Sequence, residues 1–165
     1  AVGVSSVALL FLFRFEGISR AALVMDALLL LVGVGGSRIS VRGDKATCES
    51  RMSLMIRAKI DGEEVDVTSW ARFYDRLVRF EGRWCILERR LVYEKDRIDP
   101  VDPTAVLKLD QAALATFPEG YRHLAYIQTR IGYKVKMDMP QLKGPIVEDL
   151  YRRGANWLAG KPLER

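Results

Sequence analysis

Between Ser37 and Asp96 the chain alternates apolar and polar residues, and three turn signals cut that alternation into four runs: Gly43-Asp44, Asp61-Gly62 and Glu81-Gly82. Tight hairpins need positive φ at their central residues, which dipeptides of this kind supply. The pattern predicts a four-stranded antiparallel meander. A two-residue loop at Asp61-Gly62 sets Ile60 opposite Glu63, Lys59 opposite Glu64 and Arg57 opposite Asp66. Two of these pairs join opposite charges, as a correct register should. The same register gathers Ala46, Cys48, Met52, Leu54, Ile56 and Ala58 on one face with Val65, Val67, Ala71 and Phe73. Lys45, Glu49, Arg51, Arg57 and Lys59 fall on the other with Glu64, Asp66, Thr68, Arg72 and Arg76. A slip of one residue would scramble both faces.

The third turn reads as a three-residue loop, Phe80 to Gly82, with Gly82 left-handed. That choice adds Cys85, Leu87, Leu91 and Tyr93 to the apolar face and leaves two charges on it, Asp75 and Arg89. Phe73 would face Arg89, and Asp75 would face Leu87, so the two charges meet diagonally. A carboxylate and a guanidinium on an apolar sheet face mark either a structural ion pair or a functional centre.

Two strongly apolar runs, 7–15 and 21–34, precede the meander. Arg14, Glu16, Arg20 and Asp26 interrupt them, and each is too short to span a bilayer. They read as core-facing helices covering the sheet, with a membrane-interacting end as the alternative. A signal peptide would need a basic start, which is missing. Gly33, Gly35 and Gly36 then release the chain into a first strand at 37–42. After the meander, Pro100 and Pro103 form a stiff connector. A short helix capped by Asp110 follows to Thr116, a second runs from Glu119 to Arg130, and 137–145 is a loop. Pro145 opens a last helix that ends near Gly160, with Val147, Leu150, Trp157 and Leu158 on its apolar side. The chain opens on Ala1 rather than Met, as a fragment or a processed product would.

The 165 residues suit one domain, with an apolar segment at 1–34, the meander at 35–96 and a helical extension at 97–165. The net charge of +5 is interspersed along the chain, which argues against nucleic acid as a partner. Cys48 and Cys85 read as reduced core thiols of an intracellular, cytoplasmic protein. One histidine, His123, and no cysteine cluster leave no metal-ligand spacing. His123 reads as a surface or hydrogen-bonded residue before it reads as a base. Tyr74 and Tyr93 are first packing residues, although either can donate to a ligand carbonyl. Trp70, Arg72 and Met55 on the polar face point to a subunit interface, with Glu49 placed to pair with Arg72.

The block GGSRISVRGDKATCES, followed by ARFYDRLVRFEGRWCILERRLVYEKDR, resembles the SnoaL-like branch of the nuclear-transport-factor-2-like superfamily. The resemblance rests on Gly43-Asp44 before an Ala-containing strand, the run from Arg72 to Arg76, and Gly82-Arg83-Trp84 leading to Arg89, Arg90 and Tyr93. It implies an α+β fold in which a curved antiparallel sheet forms a cone with helices over its concave face, plus C-terminal helices. It also implies proton transfer beside a carbonyl or leaving group in an apolar pocket, as in cyclases, lyases and isomerases. Such members use no metal and no organic cofactor, and many form homodimers. A hydrophobic small molecule is the implied partner; a membrane is not.

Under this reading Asp75 is the base or orienter, Arg89 binds an anion or leaving group, and Tyr93 donates a hydrogen bond. Cys48, Met52, Phe73, Leu87 and Leu91 line the substrate. The histidine that many relatives place before this strand falls at about Val32, and none occurs before His123. The family's His–Asp mechanism is therefore not transferred. A non-catalytic ligand-binding or dimerisation module of the same fold is the alternative.

Overall fold

A computed structural model describes residues 30–162. The apolar runs before Leu30, with Asp26 among them, lie outside the described residues. Four strands, β1 (Leu30–Arg42), β2 (Lys45–Ile60), β3 (Glu63–Phe80) and β4 (Arg83–Pro100), form one antiparallel sheet in sequence order. The sheet is curved and does not close, and helices follow at its C-terminal end, giving an α+β architecture. They are α1 (Gln111–Ala115), α2 (Arg122–Arg130), entered through a 3₁₀ turn at Glu119–Tyr121, and α3 (Pro145–Leu158). No helix among the described residues is long and apolar enough to cross a membrane.

The β2–β3 register is the predicted one throughout, from Ile60↔Glu63 and Arg57↔Asp66 to Lys45↔Val78. Arg57 closes a two-bond fork on Asp66, both bonds 2.9 Å. Strand β1 starts earlier than the glycines suggest. It pairs from Leu30↔Ile56 and absorbs the glycine-rich stretch in an irregularity between Val34 and Ser37. Residues 30–34 are therefore strand, where a helix was expected.

The third hairpin differs more. Phe80 pairs with Arg83, so the loop has two residues, with Glu81 (φ 49°) and Gly82 (φ 79°) both left-handed. Glycine takes that conformation freely, and Glu81 takes it in step with the right-handed twist of the strands. Two bulges then correct the register. One sets Leu77 against Ile86 and Arg76 against Glu88, leaving Leu87 as the extra residue. The other sets Trp70 against Lys95 and Ala71 against Tyr93, leaving Glu94 extra. A bulge inserts one residue and flips the face of everything beyond it. Cys85 consequently pairs with Val78 on the polar face and is exposed, and Leu87 is 45% exposed rather than lining the apolar face.

The helices divide between the two faces. Leu124, Ala125 and Ile127 of α2 bury Ile60, Val65 and Val67 at one end of the apolar face. Helix α3 crosses the opposite, polar face, where Val147 and Leu150 pack on Tyr74 and Val92. Arg76 is 1% exposed on that face and donates to Glu88. Arg72 pairs with Glu49 as expected and also donates to the Tyr151 hydroxyl of α3 at 2.7 Å. One part of the face read as a subunit interface is thus occupied by the chain's own helix. At the other end of the apolar face, Ile39, Val41 and Ile86 remain 48–62% exposed.

Candidate functional site

The bulge at Leu87 places Asp75 directly opposite Arg89, where a plain three-residue loop would leave them diagonal. Arg89 Nε donates to Asp75 Oδ1 at 2.7 Å and Nη2 to Oδ2 at 2.8 Å. This is the planar, two-bond geometry that guanidinium and carboxylate adopt best. The Asp75 side chain is 5% exposed and that of Arg89 29%. The guanidinium lies 4.2 Å from the centre of the Phe73 ring, so it is held between a carboxylate and an aromatic face. Hydrogen bonding to Asp75 pushes Arg89 further above its ordinary value, against the opposing effect of burial.

Around the pair, the register brings Cys48 opposite Asp75 and Leu91 opposite Phe73. Met52 packs with Ala71 and Phe73. Cys48, Met52, Phe73, Asp75, Arg89 and Leu91 therefore form one patch, as expected. Leu87 does not belong to it, since it stands in the bulge.

Tyr93 does not join the pair either. It shares the face with Arg89 but sits four residues along β4, about 13 Å away at strand spacing. Its ring packs on Tyr121 at 4.6 Å. Burial first, then the neighbouring Tyr121 and Asp96, push its phenol up to about 12. It therefore stays a neutral hydroxyl at any ordinary pH.

A second polar cluster lies at that end of the sheet. The bulge at Glu94 turns Asp96 onto the apolar face, opposite Ser69. The Asp96 side chain is 1% exposed. Its Oδ2 accepts from the Leu124 backbone N–H at 2.8 Å, in the first turn of α2, where the helix's N–H groups are otherwise without partners. Its Oδ1 lies 2.8 Å from His123 Nδ1. His123 is thus a hydrogen-bonded residue, as its position on an amphipathic helix suggested. Asp96 was missed because strict alternation from Tyr93 points it to the polar face. The available signal was Ile98, an apolar residue out of step with Leu91 and Tyr93. No cluster of potential metal ligands occurs among the described residues.

Comparison with known proteins adds an independent line. The family described as "SnoaL-like domain" matches residues 19–90. "Pea pathogenicity protein 2" of Fusarium vanettenii is 30% identical over 159 residues, which cover 91% of this chain and 68% of that protein. A PEP2-like protein of the same fungus is 34% identical over 134 residues, covering 76% of this chain and 58% of the relative. An uncharacterized protein of Emericella nidulans is 34% identical over 139 residues, with the same coverage of 76% and 58%. The chain spans about two thirds of the first relative and less than three fifths of the other two.

Proposed function

Because the chain belongs to the SnoaL-like family of the nuclear-transport-factor-2-like superfamily, we propose that it binds a hydrophobic small molecule on the exposed end of its apolar sheet face, with Asp75–Arg89 as the polar anchor. The observation that carries this reading is the two-bond Asp75–Arg89 pair set among Cys48, Phe73 and Leu91, beside the exposed Ile39, Val41 and Ile86. Both Asp75 oxygens are engaged by the guanidinium, so the pair as it stands offers a ligand an oriented cation more readily than a base. That favours a binding module over a catalyst.

The second reading is cofactor-free proton transfer of lyase, isomerase or cyclase type, with Asp75 as base. It is favoured by the uneven exposure of the pair, 29% for Arg89 against 5% for Asp75. An anionic ligand group drawing Arg89 outward would release a carboxylate into an apolar setting, where its basicity rises.

Titration of the full chain with anilinonaphthalene sulfonate, an apolar anion, separates these ideas. Saturable binding is expected, with about tenfold weaker affinity in the double variant Asp75→Asn/Arg89→Met, which removes both charges together. Unchanged affinity would contradict the anchor. Asp75→Asn alone should retain binding under the first reading and abolish turnover of an identified substrate under the second.

A further inference from the structure

The tip of the third hairpin, Arg79 to Trp84, is used by neither reading and lies at the end of the sheet remote from α2. We propose that this tip docks on an anionic lipid bilayer surface, with Phe80 and Trp84 entering the headgroup layer and Arg79 and Arg83 meeting its negative charge. Three observations carry this. First, the tip projects. Strand β2 begins at Lys45, opposite Val78, whereas β3 and β4 stay paired as far as Phe80↔Arg83. The Arg79 backbone N–H donates to the Asp44 carbonyl at 2.7 Å, so the neighbouring turn braces the base of the projection.

Second, apolar residues on both faces of this hairpin stay in solvent. Counting from Leu77↔Ile86, Trp84 and Ile86 belong to the apolar face and Phe80 to the polar one, with Leu87 in the bulge. All four are 43–61% exposed. Exposed apolar clusters of this kind mark interaction sites. A small ligand or a flat protein surface covers one face of a sheet, but a medium that surrounds the tip covers both. The bilayer interface is such a medium, and tryptophan is enriched there because its ring is apolar with one polar edge.

Third, the charge fits. The tip reads Arg-Phe-Glu-Gly-Arg-Trp and the turn beside it, 42–45, Arg-Gly-Asp-Lys, which sets four basic residues against two acidic ones. Arg42, Arg79 and Arg83 are exposed, and they form no ion pair among the described residues. Arg57, Arg97 and Arg130, towards the opposite end, each close on an aspartate. Arginines without a carboxylate are available to lipid phosphates and carboxylates, and their long stems let the charge reach headgroups while the ring beside it enters deeper.

The test is flotation of the full chain with vesicles of phosphatidylcholine alone or containing about 30% phosphatidylserine. Binding to the anionic vesicles is expected, with about tenfold weaker binding to the neutral ones. Arg79→Gln/Arg83→Gln and Phe80→Ser/Trp84→Ser should each weaken anionic binding by about tenfold, and both change only exposed side chains, so the fold should hold. Trp84→Phe should keep the affinity but lose most of the quenching of tryptophan emission by brominated acyl chains. Of the other two tryptophans, Trp70 stands far back along β3 and Trp157 is buried. No binding to anionic vesicles, or equal affinity for neutral ones, would overturn the proposal. So would wild-type affinity in either double variant, which would put the contact elsewhere in the chain, or undiminished quenching in Trp84→Phe. A dimer seen by sedimentation without lipid that dissociates in Phe80→Ser/Trp84→Ser would give the tip to a second copy of the chain and equally overturn it.

Discussion

Several charged side chains here are held by neighbours rather than by water, and for Glu88 this couples stability to pH. Burial pushes its carboxyl up, but hydrogen bonding and charge from Arg76, helped by Arg90, outweigh this and hold it below the ordinary glutamate value. A carboxylate lowered in the folded state adds stability above its unfolded range, and that contribution disappears as pH falls through the lowered folded value. Denaturant unfolding of wild type should therefore show stability declining on the acid side of the ordinary glutamate range. Glu88→Gln should lose about 1–3 kcal/mol at neutral pH, since Arg76 beneath it is almost wholly buried, and should flatten that acid decline. Equal acid sensitivity in the variant would assign the effect to other carboxylates. Tyr93 makes the opposite point: burial keeps it a neutral donor, so no alkaline change below its value of about 12 should be traced to it.

At the scale of elements, the seat of α3 on the sheet depends on one missing side chain. A Cβ built on Gly154 would lie 1.7 Å from the Tyr74 hydroxyl and 2.8 Å from the ring carbon that bears it. Alanine in an exposed helix interior is worth about 1 kcal/mol over glycine. Here the clash reverses the sign, because Tyr74 is itself buried under Val147 and Leu150. Gly154→Ala should destabilise by about 1–3 kcal/mol, read as a lower denaturant midpoint; a stabilised variant would mean that the helix does not approach Tyr74 this closely.

The elements also show what alternation can and cannot reveal. The β2–β3 register was legible because its charge pairs, Lys59–Glu64 and Arg57–Asp66, and its apolar face agree over the whole length. Asp110 as cap and Pro145 as helix opener were legible because each acts locally, and Asp110 accepts from the Ala113 N–H at 3.0 Å. The β3–β4 pairing was not, because the bulges at Leu87 and Glu94 each shift the face by one residue without a glycine or proline to announce them. Those bulges, with a turn of two residues where three were expected, misplaced Cys85 and Leu87, made the Asp75–Arg89 pair look diagonal, and hid Asp96. The face taken by α3 was also invisible, because the residues that receive it, Arg72, Tyr74 and Arg76, read as polar or merely aromatic until Tyr151 and Val147 reach them.

Over the whole molecule, the two faces of the sheet have different fates. The polar face is closed in part by α3 through a network of Arg72, Glu49 and Tyr151. The apolar face is closed by α2 at one end, and at the other Ile39, Val41 and Ile86 stay exposed beside the buried Asp75 and the half-buried Arg89. Sheet order and bulges together thus set an ion pair on the apolar face next to an exposed apolar edge. Backbone NMR of the full chain during titration with anilinonaphthalene sulfonate tests this most directly. Shifts that saturate together and concentrate at Cys48, Phe73, Asp75, Arg89 and Leu91 are expected. Shifts confined to α2 or α3, or none that saturate, would contradict it.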